Sequence, residues 1–238
     1  MRTELHSAYV IHRRPYRETS LLLECLSAEY GRVGIVARGA ARKRNSGHAP
    51  VQSFQKYVIS WSGRSDLHTL IKLEAVDERL RLTGNKLLSA FYVNELIMRL
   101  SARDDPNPEI FLVYEQAVKS LAESTMTTET TLRRFEKNLL DACGYGLQLG
   151  TEAISGEEVD PKQCYHYVFE RGPIRASDGD SGLAVSGQTL LALANDHELS
   201  DLERNEAKKL MRYVLHHYIG ERPLASRTLF RRASTPIR

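Results

Sequence analysis

Residues 20–37 read SLLLECLSAEYGRVGIVA and carry the clearest strand signal in the chain. Residues 20–26 are apolar except at Ser20 and Glu24, and the run is long enough for a strand that is buried on both faces. The segment AEYG at 28–31 is typical of a hairpin turn, and apolar residues resume after Arg32, at 33–37. The pattern therefore predicts two antiparallel strands joined by a short turn.

Three further strands are predicted around this hairpin, at Leu5–Ile11, Phe54–Trp61 and Leu67–Leu73. Pro15 is expected to interrupt the chain after the first strand, because proline lacks the N–H that a ladder needs. Five short strands without a long helix between them must hide their edges, and closure into a barrel removes those edges. The smallest solution is the five-stranded OB-type barrel, with a small SH3-like barrel as the alternative left open.

From Thr83 onward the apolar period changes from 2 to 3.6, which indicates helices. Residues 150–186 are rich in glycine and proline around one short predicted strand, Tyr165–Glu170, and indicate a turn-rich insert. The predicted fold is therefore multi-domain α+β, with an OB-type barrel at 1–80 and a mainly helical domain with the insert at 81–238. The predicted helices begin near Thr83 and cover Glu109–Ala122, Leu132–Cys143, Gln188–Ala194, the segment after the capping box at 200–203, and Ser226–Arg232.

Charge is distributed unevenly along the chain, although the net charge is only +3. Residues 1–80 hold 13 Lys+Arg against 8 Asp+Glu, residues 81–219 hold 15 against 21, and the last 19 residues hold 5 against 1. The densest cluster is RGAARKRNSG at 38–47, between the third and fourth predicted strands. Cations spaced this closely repel one another, so the cluster favours a polyanion partner over a merely solvated loop.

The composition and the motifs argue against a membrane protein, a secreted protein and an enzyme. Hydrophobic residues make up 42% and charged residues 26%, which is typical of a globular protein, and no apolar run approaches the roughly 18–20 residues of a membrane helix. No signal-peptide pattern is visible, so a cytoplasmic location is expected. The three cysteines are widely spaced and form no C-x-x-C motif, which favours structural thiols. The sequence contains no P-loop (G-x-x-x-x-G-K-[ST]), no G-x-S-x-G nucleophile motif and no H-E-x-x-H zinc-binding motif. Nothing in the sequence argues for an enzyme.

Nine short segments spread over nearly the whole chain are specific in combination. They are RPYRETSLLL at 14–23, GRV at 31–33, VARGA at 36–40, GRS at 63–65, LHTL at 67–70, YVNEL at 92–96, LRRFE at 132–136, GYG at 144–146 and SRTLF at 226–230. Together they resemble the RecO family of bacterial recombination-repair proteins. The resemblance agrees with the barrel, the helices and the basic N-terminal segment inferred from the residues alone.

The resemblance implies a mediator without catalytic turnover. Members of the family bind single- and double-stranded DNA, anneal complementary strands, bind the single-stranded-DNA-binding protein SSB and, with RecR, help to load the RecA recombinase. A nucleoid-associated bacterial protein without a cofactor is therefore expected. Family members often hold a four-cysteine zinc site in the insert, but here only Cys164 lies within 150–186, so no metal site is expected.

Three groups of site residues are expected: residues that bind the SSB tail, aromatic residues that stack on bases, and cations that bind nucleic acid. The family suggests that Arg133, Arg134 and Phe135 receive the acidic, apolar-ended tail of SSB, although Phe135 would equally suit a helix core. Tyr16, Tyr30, Tyr57 and Trp61 are possible base platforms, although strand aromatics are usually core. The predicted nucleic-acid-binding residues are the cations of the barrel and its loops: Arg14, Arg17, Arg32, Arg38, Arg42, Lys43, Arg44, Lys56 and Arg64.

Two rival classes stay open on the sequence alone. A generic OB-type RNA- or ribosome-binding factor would use the same basic barrel but prefer RNA with its 2′-hydroxyl groups. An enzyme would need a pocket that gathers scattered carboxylates or histidines, because no local motif supplies a catalytic set.

Overall fold

A computed structural model describes residues 3–40, 51–63, 67–76, 80–124, 126–175 and 182–233, with side chains to residue 230. The chain divides into two compact units, Met1–Ala122 and Glu123–Arg238. The predicted domain boundary after residue 80 stays a prediction. The first two helices belong to the same compact unit as the barrel. Within the described residues, no helix combines the length and apolar character that a membrane crossing needs.

The first unit begins with a closed five-stranded barrel. Its strands are β1 (His6–Tyr16), β2 (Ser20–Ser27), β3 (Gly31–Ala37), β4 (Lys56–Ser62) and β5 (His68–Ala75). The antiparallel strands β1, β2 and β3 are followed by β4, which pairs with β1, and by β5, which lies between β3 and β4 and runs parallel to β3. This Greek-key order confirms the OB-type barrel rather than the SH3-like alternative.

The expected interruption at Pro15 is wrong, because β1 continues through it to Tyr16. Only the start of β1, His6 to Tyr9, pairs with β4, whereas the end of the strand pairs with β2 alone. Pro15 therefore lies where the strand has one neighbour, a position in which a missing N–H is tolerated.

The prediction that β2 is buried on both faces is confirmed. Leu23 and Cys25 belong to the barrel interior, while Leu22 and Leu26 are buried on the opposite face. Burial raises the pKa of the Cys25 thiol, which makes it an inert structural residue, as the sequence suggested.

Two helices complete the first unit, α1 (Gly84–Leu100) and α2 (Pro108–Glu123). Asn94 of α1 donates its side-chain amide to the Ile11 carbonyl oxygen at 2.6 Å. The Tyr9 ring of β1 packs against Tyr114 of α2, with 5.1 Å between ring centroids. Both helices are thus anchored on the outer surface of β1, which explains why α1 is apolar around most of its circumference.

The second unit is helical with one small sheet. Its elements are α3 (Thr128–Ala142), β6 (Cys164–Val168), β7 (Gly172–Arg175), β8 (Leu183–Ser186), α4 (Gly187–Ala194), α5 (Asp201–Ile219) and α6 (Ala225–Ala233). The insert contains three strands rather than the single predicted one, and β6 lies between β7 and β8. The capping box of Ser200 and Glu203 opens α5 as expected. Helix α3 begins four residues before the prediction because the Thr127 hydroxyl caps it, accepting from the Thr130 N–H.

Candidate nucleic-acid interface

A groove of about 720 Å³ opens on the barrel, and we call it the barrel groove. Three parts of the chain meet there: the β1–β2 turn, the end of β3 and the start of β5. In OB-type barrels the β2–β3 face and the loops β1–β2 and β4–β5 are the parts that bind oligonucleotides. The groove is lined by Tyr16, Arg17, Glu18, Thr19, Ser20, Val36, Arg38, Leu67 and Thr69.

Two of the predicted cations lie at this groove. Arg17 occupies the β1–β2 turn with a φ of 54°, and its guanidinium stands 5.3 Å from the centroid of the Tyr16 ring. Arg38 is exposed directly after the end of β3. The Tyr16 ring is half-buried, and a cation over such a ring offers a phosphate contact beside a surface for a base.

Of the four possible base platforms, only Tyr16 lines the barrel groove. Tyr57 and Trp61 are 4% and 3% exposed and belong to the barrel interior. Tyr30 packs edge-on against Trp61, with 5.0 Å between ring centroids. The interpretation of strand aromatics as core therefore applies to these three residues.

Two other predicted cations are occupied by internal contacts. The Lys56 ammonium lies 2.8 Å from Glu115 of α2, and with the Tyr9 hydroxyl it holds the pKa of that carboxyl below its usual range despite burial. Arg32 donates to the Met98 carbonyl oxygen at 3.0 Å. Burial lowers the pKa of Arg32, and neighbouring Arg103 adds to this effect against the attraction of Glu24. Neither cation enters the surface that we propose below.

The remaining predicted cations of the barrel differ in position. Arg14 is exposed on β1, opposite Leu22 of β2, and does not line the groove. Arg42, Lys43, Arg44 and Arg64 lie outside the described residues. Sequence reasoning missed Thr19 and Thr69 in the groove, because only the strand order brings these two hydroxyl groups to one place.

Comparison with known proteins identifies the family. The family model "Recombination protein O N terminal" matches residues 1–79, and "Recombination protein O C terminal" matches residues 81–228. The chain belongs to the RecO family. It is 46% identical to the DNA repair protein RecO of Methylococcus capsulatus over 98% of this chain and 95% of the relative, and 44% identical to that of Nitrosococcus oceani over 96% and 93%. RecO proteins are recombination mediators rather than enzymes, and the chain shares this class.

The residues expected to receive the SSB tail in a RecO protein differ in exposure. Phe135 is 2% exposed and lies in the core of the second unit. Arg133 is also buried and pairs with Glu136 at 2.8 Å, one turn along α3. Arg134 is more open, and it donates to the Asp196 carbonyl oxygen at 2.8 Å. Of the three, only Arg134 presents a charged group that a peptide in solution could reach.

A four-cysteine zinc site, which the resemblance to the family raised, does not fit the insert, because Cys164 is the only cysteine at 150–186. Cys164 is exposed at the start of β6, and His166, two residues further on, is half-buried. In the part of the chain that the structure describes, no three His, Cys, Asp or Glu side chains come together in a way that could hold a metal ion.

Proposed function

We propose that this RecO-family chain binds single- and double-stranded DNA without sequence preference through the barrel groove and anneals complementary strands. The observation that supports the proposal is the position of Arg17 and Arg38 beside the β1–β2 turn, at the place where OB-type barrels bind oligonucleotides. Arg42, Lys43 and Arg44 follow Arg38 closely in sequence and would extend the same phosphate contacts.

The chemistry of the groove suits a protein that does not read bases. Its two cations are arginines, which bind phosphate oxygens, and they outnumber its one carboxylate, Glu18. Its neutral polar groups are hydroxyls, those of Tyr16, Thr19, Ser20 and Thr69. Phosphate contacts position a strand without carrying sequence information. Bases held this way stay free to pair with a second strand, which annealing requires.

We propose further, from membership of the RecO family, that the chain acts with SSB and RecR to promote loading of RecA in recombinational repair. A direct assay follows complementary strands coated with SSB, and annealing that depends on this chain is the expected result. A marked preference for RNA over DNA of the same sequence would instead favour the RNA-binding alternative.

The barrel groove makes a quantitative prediction. For about 4 neutralised phosphates on a single strand, the logarithm of affinity should fall with the logarithm of salt at a slope near −3. The double variant Arg17→Glu, Arg38→Glu removes two of these contacts, so we expect the slope to fall to roughly half and affinity at low salt to drop about tenfold or more. Fluorescence anisotropy with a labelled oligothymidine measures both quantities.

Lys72→Glu is the matched control, since Lys72 is exposed on β5 but does not line the groove. It should leave the salt slope unchanged. A double variant with the wild-type slope would place the DNA path elsewhere.

The SSB contact makes a second prediction. Arg134→Glu is expected to weaken binding of a peptide with the acidic tail of SSB about fivefold, because a charge-assisted contact to a carboxylate becomes a repulsion. Arg133→Ala is a poorer test, since it removes a buried partner of Glu136 and lowers stability. Isothermal titration measures the affinity, with Lys162→Glu, an exposed cation of the same unit, as control. Equal affinity for Arg134→Glu and the wild type would exclude this surface.

A further inference from the structure

The second unit carries a group of stacked rings at the C-terminal end of α5, which we call the aromatic cluster. Phe169 lies parallel to His217 with 4.1 Å between ring centroids, and Tyr145 lies parallel to Tyr218 with 4.4 Å. Edge contacts join the two stacks, because Phe169 also meets Tyr218 at 5.1 Å. The cluster consists of Tyr145, Phe169, Tyr213, His217 and Tyr218.

The rings are held by backbone contacts of three separate elements. The Tyr213 hydroxyl accepts from the Phe169 N–H at 3.4 Å, which ties the β6–β7 turn to α5. One turn along the helix, His217 Nδ1 lies 2.8 Å from the Tyr213 carbonyl oxygen. Tyr145 follows the end of α3, and its N–H donates to the Leu140 carbonyl oxygen at 2.7 Å. These hydrogen bonds fix the residues of the aromatic cluster in place.

The outer surface of the aromatic cluster is open to solvent. Tyr145 is 45% exposed, and His217 is exposed as well. A small cavity of about 30 Å³ lies beside the rings, and Leu147, Gln148 and Val214 also line it. The open part of the cluster offers ring faces and edges.

Cations continue the same face of α5 toward its N-terminus. Lys209, Tyr213 and His217 are spaced four residues apart and share one row of the helix, about 12 Å long at 1.5 Å per residue. Lys208 and Arg212 occupy the neighbouring row, and both are exposed. Lys208, Lys209 and Arg212 form no ion pair with a described residue. Burial opposes ionisation of the nearby Glu206 carboxyl, but hydrogen bonds from Ser186 and Thr189, with a smaller contribution from Lys209, hold its pKa below the usual value.

One carboxylate borders the aromatic cluster. Glu170 of the β6–β7 turn adds to burial in raising the pKa of Tyr218. The exposed Arg171 follows it in sequence, so the turn carries no net charge. The excess of positive charge on this surface therefore comes from the three cations of α5, and the Glu206 carboxylate near Lys209 offsets part of it.

We infer that the aromatic cluster and the adjacent cations of α5 form a second binding surface for single-stranded nucleic acid. Bases stack on the exposed rings, and phosphates contact Lys208, Lys209 and Arg212. This rests on the proposed function, because annealing requires that one chain, or a pair of chains, holds two strands at once. Stacking on aromatic rings tolerates any base, as annealing also demands.

The experiment uses the full-length chain and two matched pairs of variants. Tyr145→Ala removes an exposed ring, whereas Tyr145→Phe keeps it. Arg212→Glu reverses a cation beside the cluster, whereas Lys162→Glu reverses an exposed cation elsewhere in the same unit. Annealing of two labelled complementary strands is measured by energy transfer, and binding of one short oligothymidine by anisotropy.

We expect Tyr145→Ala and Arg212→Glu to slow annealing about tenfold, while Tyr145→Phe and Lys162→Glu match the wild type. Photo-crosslinking of the wild-type chain to an oligonucleotide with 5-iodouracil should label peptides that contain Tyr145 or Tyr213, a result that does not depend on any variant folding. Wild-type annealing by Tyr145→Ala and Arg212→Glu would overturn the inference. The inference would also be overturned if these variants bound an acidic peptide more weakly but bound DNA as the wild type does, since the surface would then be a protein-binding site.

Failure of the proposed function is recognised separately. If the wild-type chain bound no single strand, both the groove and the second surface would fail together before any variant was compared. If the groove variants of Arg17 and Arg38 abolished binding while the α5 variants changed nothing, only the second surface would fail.

Discussion

Alanine in place of Gly31 is expected to lower the free energy of unfolding of the barrel by about 3 kcal/mol, from left-handed backbone strain and overpacking together. Gly31 begins β3 with a φ of 64°, a conformation that residues with a Cβ rarely adopt. A Cβ at this position would overlap the backbone carbonyl of Asp105. The neighbouring Asp104 N–H donates to the Arg32 carbonyl oxygen at 2.9 Å, so this segment cannot withdraw without losing a hydrogen bond.

Urea unfolding followed by fluorescence measures this effect, because the only tryptophan, Trp61, is buried inside the barrel. Gly39→Ala is the matched control: its φ is 72°, but a Cβ there meets nothing within 4 Å. It should cost about 1 kcal/mol from the backbone alone. Equal losses in the two variants would show that the segment around Asp105 moves away freely.

The barrel could be predicted from the sequence because its signals are local. The apolar run of β2, the turn at 28–31 and the alternation in β4 each specify a strand without reference to distant residues. The three strands of the insert were harder to predict, since β7 and β8 are only four residues long and their pairing with β6 is not visible in the sequence.

The candidate site was predictable only in part. Arg17 and Arg38 could be identified from the sequence as cations of loops. Lys56 pairs instead with Glu115, which is 59 residues away in sequence, so its availability for DNA could not be predicted. Phe135 suited both the family motif and a helix core on the sequence alone, and its burial shows that it is core. Charge counts find cations, whereas only tertiary contacts show which of them are occupied.

The last prediction concerns Glu152, whose hydrogen bonds hold the insert together. Its carboxylate is 4% exposed and accepts hydrogen bonds from the N–H groups of Ile154, Ser155 and Arg175, which ties the start of the insert to the end of β7. Glu152→Ala leaves these donors without the carboxylate. We expect a loss of about 2 kcal/mol, given the 1–3 kcal/mol cost of a buried unsatisfied group.

Hydrogen exchange of the amides of Ile154, Ser155 and Arg175 measures the effect directly, and Glu158→Ala, an exposed carboxylate of the same loop, is the control. The Ser155 hydroxyl and N–H hold the pKa of Glu152 below its usual range, with smaller contributions from Ile154 and Arg175. A carboxyl whose pKa is lower in the folded state stabilises above its unfolded pKa of about 4.3, and this stabilisation is lost as the pH falls through the folded value. The difference between Glu152→Ala and the wild type should therefore be complete at pH 7 and shrink in acid. A difference independent of pH would mean that the side chain acts by packing and not by its charge.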